Sequence, residues 1–129
     1  MTKDETEIQV VRKAELTPGA STPGITRHRA FDAPDAIVSQ SRIGPGVTSD
    51  WHHHAARTLF GYLVSGELRF DYGPRGTLSV RFSAHDYFRI PAGLIHRDVN
   101  PRTDRAAIVV GVLVGEGPAV VNTTGPADD

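Results

Sequence analysis

Apolar and polar residues alternate along short segments of this chain. At residues 68–72, the apolar side chains Leu68, Phe70 and Tyr72 are separated by charged residues, which is the period of two expected of a half-buried strand. Turns rich in Gly and Pro recur about every ten residues and leave little room for helices. The pattern therefore predicts an all-β sandwich or barrel of about eight to ten strands. The candidate strands are residues 8–12, 36–43, 59–64, 67–72, 77–82, 87–90 and 106–114.

The length of 129 residues is that of one folded domain. We expect an N-terminal arm at residues 1–20, a barrel domain at residues 21–124 and a flexible tail at residues 125–129, because both ends are polar and contain Pro and Gly. Apolar residues within the arm make it a candidate for a strand exchanged between the copies of a homodimer. Residues 108–114 are apolar almost throughout, which predicts a central strand covered on both faces.

Charge and composition narrow the possible partners. The chain has 14 Lys and Arg against 15 Asp and Glu, so it lacks the cationic surplus of a nucleic-acid binder. It has no apolar run approaching the ~20 residues of a membrane span and no secretory signal, so we expect a cytoplasmic protein with a small-molecule partner. The absence of Cys excludes disulfides, thiolate metal sites and a Cys nucleophile.

Three consecutive histidines, His52, His53 and His54, are the most conspicuous chemical feature. In a strand, His52 and His54 share one face about 7 Å apart, and His53 points the other way. His96 follows a Pro-Ala-Gly turn at the start of another predicted strand and is the candidate third ligand of a metal site. The alternative is a group of surface or packed histidines without a metal.

The spacing around these histidines resembles the two motifs of the cupin superfamily, G-x5-H-x-H-x3–4-E-x6-G and G-x5-P-x-G-x2-H-x3-N. The first motif is matched at Gly46, His52, His54 and Gly66, with Leu59 in place of the family's Glu. The second is matched at Pro91, Gly93, His96 and Asn100, with His85 in place of the leading Gly. The resemblance implies a small single-domain cupin, a double-stranded β-helix (jelly-roll barrel), with a metal held inside the barrel by His52, His54 and His96.

Leu59 cannot bind a metal, so three neutral imidazoles would leave a divalent ion with its full charge and open positions that attract anions. Fe(II) is the favoured ion, and Zn, Mn, Ni and Cu remain open. Asp98 shares a face with His96 and is a candidate either for the missing ligand or for a group that holds a histidine tautomer. Arg57 follows the histidines and is the candidate catalytic residue, meeting an anionic substrate at the barrel rim. A solvated arginine is the alternative.

Cupins with three histidines and no Glu are similar to diketone- and thiol-cleaving dioxygenases. The leading hypothesis is therefore an Fe(II) dioxygenase acting on a small, anionic organic substrate. A non-oxidative isomerase, lyase or cyclase would use the same ion as a Lewis acid. A non-catalytic cupin that binds a small molecule is the third hypothesis, so the sequence leaves enzymatic activity open.

Overall fold

The computed structural model describes residues 6–127. It confirms the all-β prediction. The helical elements of the described residues are two 3₁₀ turns, Lys13–Glu15 and Pro74–Gly76. No helix among these residues is long and apolar enough to cross a membrane. The strands are β1 (Thr17–Pro18), β2 (Ile25–Ala33), β3 (Ala36–Ile43), β4 (His52–His53), β5 (Thr58–Ser65), β6 (Glu67–Tyr72), β7 (Leu78–Ser83), β8 (Tyr87–Ile90), β9 (His96–Val99), β10 (Ala107–Val114) and β11 (Val121–Asn122).

The strands form two antiparallel sheets that enclose one core. The six-stranded sheet has the order β1-β2-β3-β10-β5-β8, and the five-stranded sheet has the order β11-β4-β9-β6-β7. Alternation along each strand turns one row of apolar side chains inward, and rows from both sheets meet between them. The buried cluster contains Ile25, Ile43, Leu63, Leu68, Phe70, Ile90, Ala107 and Val109. This is the architecture expected of a double-stranded β-helix.

The N-terminal region departs from the prediction. Residues 8–12 do not form a strand, and the arm instead pairs through β1, where Thr17 lies opposite Arg29 of β2 in the same chain. The strand β2 itself was missed, because its inward positions include Arg27 and Arg29 rather than an apolar row. Residues 1–5, the start of the predicted arm, lie outside the described residues.

Strand β10 also corrects one expectation. It lies between β3 and β5, as a central strand should, but its outer face is not covered within the described chain. Val110 and Val114 are 39% and 44% exposed on that face, because nothing in residues 6–127 forms a second layer outside the six-stranded sheet. The predicted homodimer remains a prediction. In the tail, the Ala127 carbonyl accepts a hydrogen bond from the Arg75 amide, and residues 128–129 lie outside the described part.

Candidate metal centre

The structure brings His52, His54 and His96 together inside the barrel. His52 on β4 lies directly opposite His96 on β9 in the sheet register, and His54 follows β4 on the same side as His52. All three side chains are buried, and their ligand nitrogens lie within 4.8 Å of one another. His53 is not part of this cluster, and its Nδ1 accepts a hydrogen bond from the Ala55 amide at 3.0 Å.

Backbone carbonyls fix the tautomer of each histidine in the cluster. Nδ1 of His52 lies 2.9 Å from the Asp50 carbonyl, Nδ1 of His54 lies 2.8 Å from that of Ala119, and Nδ1 of His96 lies 2.9 Å from that of Leu94. A carbonyl only accepts hydrogen bonds, so each Nδ1 carries the proton and donates it. Each Nε2 of a neutral ring is then left as an acceptor, the state in which histidine binds a metal.

The electrostatics of the cluster favour neutral rings. Burial lowers the pKa of His54 to about 4, and the neighbouring His96 acts in the same direction. Burial also lowers the pKa of His96, although the charge of Asp98 opposes that shift. Neutral imidazoles are the form that a metal requires, because a protonated ring has no free lone pair.

Asp98 is the carboxylate that lies beside the three histidines. Its side chain shares the inward face of β9 with His96, and its Oδ1 lies 3.8 Å from Nε2 of His52 and 3.7 Å from Nε2 of His96. Both Asp98 Oδ1 and His54 Nε2 are buried without a hydrogen-bond partner in the described part of the chain. Acceptors that face each other without a donor are unfavourable unless a cation lies among them. The donor set therefore fits a divalent metal ion.

A small cavity adjoins the cluster between the two sheets. Its volume is about 40 Å³, and Arg27, Ser41, Asp98 and the three histidines form its polar wall. The rest of the wall is apolar and contains Leu59, the position at which the family motif has Glu. The apolar residues are Ile43, Leu59, Leu68, Phe70, Phe88, Ile90 and Val109.

Arg27 is a residue of this cavity that the sequence did not reveal. It lies opposite Ser41 in the register of β2 and β3, and its Nη1 donates to the Ala20 carbonyl and to Thr22 Oγ1, each at 3.1 Å. Burial lowers the pKa of the Arg27 guanidinium, and the charge of Asp98 opposes that shift. The sequence does contain an indication of this role: Arg27 lies two residues after the buried Ile25, so the two side chains share the inward face of β2.

Arg57 does not line this cavity. Its side chain is buried, and the guanidinium donates to the carbonyls of Gly117 at 2.8 Å, Gly115 at 2.7 Å and Leu113 at 3.4 Å. These carbonyls belong to the end of β10 and the loop that leads to Ala119, whose carbonyl holds His54. The structure thus does not bring Arg57 to the position expected of a rim arginine that meets substrate, because backbone carbonyls engage its guanidinium.

Both the sequence and the fold of this chain are similar to those of known proteins. The family model described as the cupin domain matches residues 40–113. No curated protein matches the sequence.

Similar folds occur in solved structures of low sequence identity. A double-stranded β-helix protein from Klebsiella pneumoniae subsp. pneumoniae is 19% identical, with a TM-score of 0.71 over 91% of this chain and 98% of that one. KdgF from Halomonas sp. is 20% identical, with a TM-score of 0.68 over 84% and 96% of the two chains. The polyketide cyclase RemF from Streptomyces resistomycificus is 16% identical, with a TM-score of 0.74 over 95% and 89%. These likenesses show the shared double-stranded β-helix fold.

Proposed function

Because this chain belongs to the cupin family, we propose that it is a metal-dependent enzyme that acts on a small, anionic organic molecule. The observation that carries the proposal is the convergence of the Nε2 acceptors of His52, His54 and His96 on one buried point. A divalent metal bound there would supply Lewis acidity or, as Fe(II), a site for dioxygen. The three histidines would hold this ion as neutral ligands.

Arg27 supports the anionic character of the substrate. Its guanidinium is fixed by Ala20 and Thr22 on the wall of the same cavity as the histidines. An arginine held in this way attracts a carboxylate and orients it toward the cluster. Arg57, the candidate from the sequence, has no comparable access, since its donors bind backbone carbonyls.

The size of the cavity limits what approaches the histidines. A volume of about 40 Å³ accommodates about three water-sized groups, so the reacting end of a substrate enters it and the rest lies outside. A second cavity of about 230 Å³ shares Phe70, Ile90 and His96 with the first and also borders Tyr72 and Leu94. This mostly apolar space would receive the body of the substrate.

An Fe(II) dioxygenase is the leading form of this proposal. The apolar wall formed by residues such as Leu59, Phe88 and Val109 keeps bulk water from the reacting end of the substrate. Arg27 favours a second candidate, a non-oxidative isomerase, lyase or cyclase. A fixed guanidinium beside the cavity would stabilise negative charge that develops on an enolate or carboxylate during such a reaction.

Turnover assays with and without dioxygen test the proposal. Metal-free protein without a His tag is loaded in turn with Fe(II), Mn(II), Zn(II), Ni(II) and Cu(II), then offered small carboxylic acids, diketones and thiols. Dioxygen uptake and products are measured in air and under nitrogen. Turnover only in air supports the dioxygenase, and turnover under nitrogen supports the non-oxidative enzyme. Tight ligand binding without turnover under every metal would replace both with a binding protein.

Variants of two arginines on β2 test the role of Arg27. Arg27→Gln is expected to raise KM for an anionic substrate about tenfold or more, because it removes the cation from the cavity wall. Arg29→Gln is the matched control, since Arg29 pairs with Asp32 and does not line the cavity. Equal effects of the two variants would remove Arg27 from substrate binding.

A further inference from the structure

A divalent ion held only by the three histidines would keep its full double positive charge. Leu59 brings an apolar side chain to the cavity where a carboxylate would balance a divalent ion. Neutral imidazoles alone leave that charge uncompensated within an apolar barrel, which is unfavourable. An anionic donor from another strand would remove the imbalance.

Asp98 is held in position for such a role. Its amide donates to Ser49 Oγ at 2.8 Å, and its carbonyl accepts from the Ser49 amide at 2.8 Å, so Ser49 holds its backbone on both sides. Ser49 is itself buried. The side chain is 14% exposed and directs Oδ1 to within 4 Å of the Nε2 atoms of His52 and His96.

No hydrogen bond in the described chain accounts for the position of Asp98 Oδ1. It does not orient a histidine of the cluster, because backbone carbonyls bind all three Nδ1 atoms. The Arg27 guanidinium donates to Ala20 and Thr22, and in the described chain it interacts with Asp98 through charge, without a hydrogen bond. Oδ1 therefore stays buried without a donor, facing two nitrogens that are also acceptors.

We propose that Asp98 is the anionic fourth ligand of the metal, supplied from β9 in place of the carboxylate that Leu59 on β5 does not provide. This inference rests on the proposed metal site. A divalent ion bound by His52, His54, His96 and Asp98 would retain a single positive charge. The oxygen ligand would favour Fe(II) and Mn(II) relative to a site built only from imidazoles.

Metal titration of matched variants tests this role. Metal-free protein is titrated with Co(II) and with Mn(II) in competition with a chelator of known affinity. Asp98→Asn keeps the size of the side chain and removes its charge, and is expected to weaken Co(II) binding about 100-fold or more. Asp104→Asn is the control, because Asp104 is 61% exposed, pairs with Arg102 and does not line the cavity. It is expected to bind Co(II) like the unchanged protein.

Two further variants separate a ligand from a structural residue. In Asp98→Asn/Leu59→Glu, a carboxylate returns to the cavity wall from β5, and we expect it to regain at least tenfold of the lost affinity. Without metal, Asp98→Asn removes a buried carboxylate that has no hydrogen-bond donor but also its favourable charge interaction with Arg27, so we expect little net change in the melting temperature. Asp98→Ser provides the same titration if the amide prevents folding.

The outcomes distinguish this inference from the proposed function. If the unchanged protein binds one Co(II) and Asp98→Asn binds it equally well, Asp98 is not a ligand although the three-histidine site stands. A lower melting temperature of metal-free Asp98→Asn, without rescue of affinity by Glu at position 59, would also overturn the inference in favour of a structural role. If the unchanged protein binds no metal, the proposed function fails and this inference fails with it.

Discussion

Replacing Arg57 with Ala tests whether this buried arginine supports the fold and His54, as its contacts indicate. The guanidinium binds three carbonyls, and two of them, Gly115 and Gly117, lie in the loop between β10 and β11, which also contains Ala119. That loop presents the Ala119 carbonyl to Nδ1 of His54 at 2.8 Å. Removing the guanidinium is thus expected to loosen the loop and, through it, the position of His54.

The magnitude follows from the two short hydrogen bonds, at 2.7 and 2.8 Å, that the buried, charged group donates to the carbonyls of half-buried Gly115 and exposed Gly117. Hydrogen bonds to a charged group contribute about 1.5 to 3 kcal/mol each, and partial hydration of the freed carbonyls recovers part of that. We expect Arg57→Ala to lower the free energy of unfolding by about 3 kcal/mol and the melting temperature by about 10 °C. Loss of a histidine orientation of this kind typically weakens metal binding by about 10-fold or more.

Urea denaturation of the metal-free protein and Co(II) titration measure the two effects. Arg81→Ala is the control, because Arg81 is 63% exposed and forms a surface ion pair with Glu67. We expect that variant to change the free energy of unfolding by less than about 1 kcal/mol. The reasoning would be refuted if Arg57→Ala unfolded like the unchanged protein and instead raised only KM, as a substrate-binding arginine would.

Three further predictions follow from buried contacts. Asn100→Ala is expected to lower the free energy of unfolding by about 3 kcal/mol in urea denaturation, because the buried amide shares its two N–H groups among three carbonyls, including those of Ile43 and Gly44; an unchanged midpoint would contradict this. Burial raises the pKa of Asp71, but hydrogen bonds from two arginines and Ser79 outweigh it and lower the pKa overall. The resulting stability is present above the unfolded carboxyl's pKa of about 3.9, and it is lost as pH falls through the lower folded pKa. Asp71→Asn lacks this carboxylate, so its urea midpoint should fall less than that of the unchanged protein between pH 5 and about pH 2. Equal acid sensitivity of both proteins would count against that pairing. Gly61→Ala would place a Cβ in steric overlap with the Phe88 ring, and a melting temperature lower by about 5 °C or more is expected; an unchanged melting curve would show that the ring has room to move.

The sequence predicted the sheets well wherever alternation alone determines a strand. The predicted segments at Ala36–Ile43, Glu67–Tyr72 and Tyr87–Ile90 have the observed bounds, because a period of two with apolar residues on one side is a local property. Strand β2 escaped prediction for the opposite reason. Its inward face carries Arg27 toward a polar cavity, and Asp98, whose charge stabilises the guanidinium there, comes from a distant part of the chain.

The candidate site was predicted in part. The shared face of His52 and His54 follows from strand geometry, and the motif spacing added His96. The tautomers could not be predicted, since the carbonyl that binds His54 is 65 residues away along the chain. The position of Arg57 was unpredictable for the same reason, because its partners are backbone atoms about 60 residues away whose approach depends on how β10 ends.

Metal binding by the histidine cluster is the central claim, and Co(II) titration of untagged full-length protein tests it most directly. We expect one Co(II) per chain. Binding should be lost in each of His52→Ala, His54→Ala and His96→Ala but kept in His53→Ala, because His53 lies outside the cluster. The claim would be contradicted if the unchanged protein bound no Co(II), or if His53→Ala reduced binding as much as the other three variants.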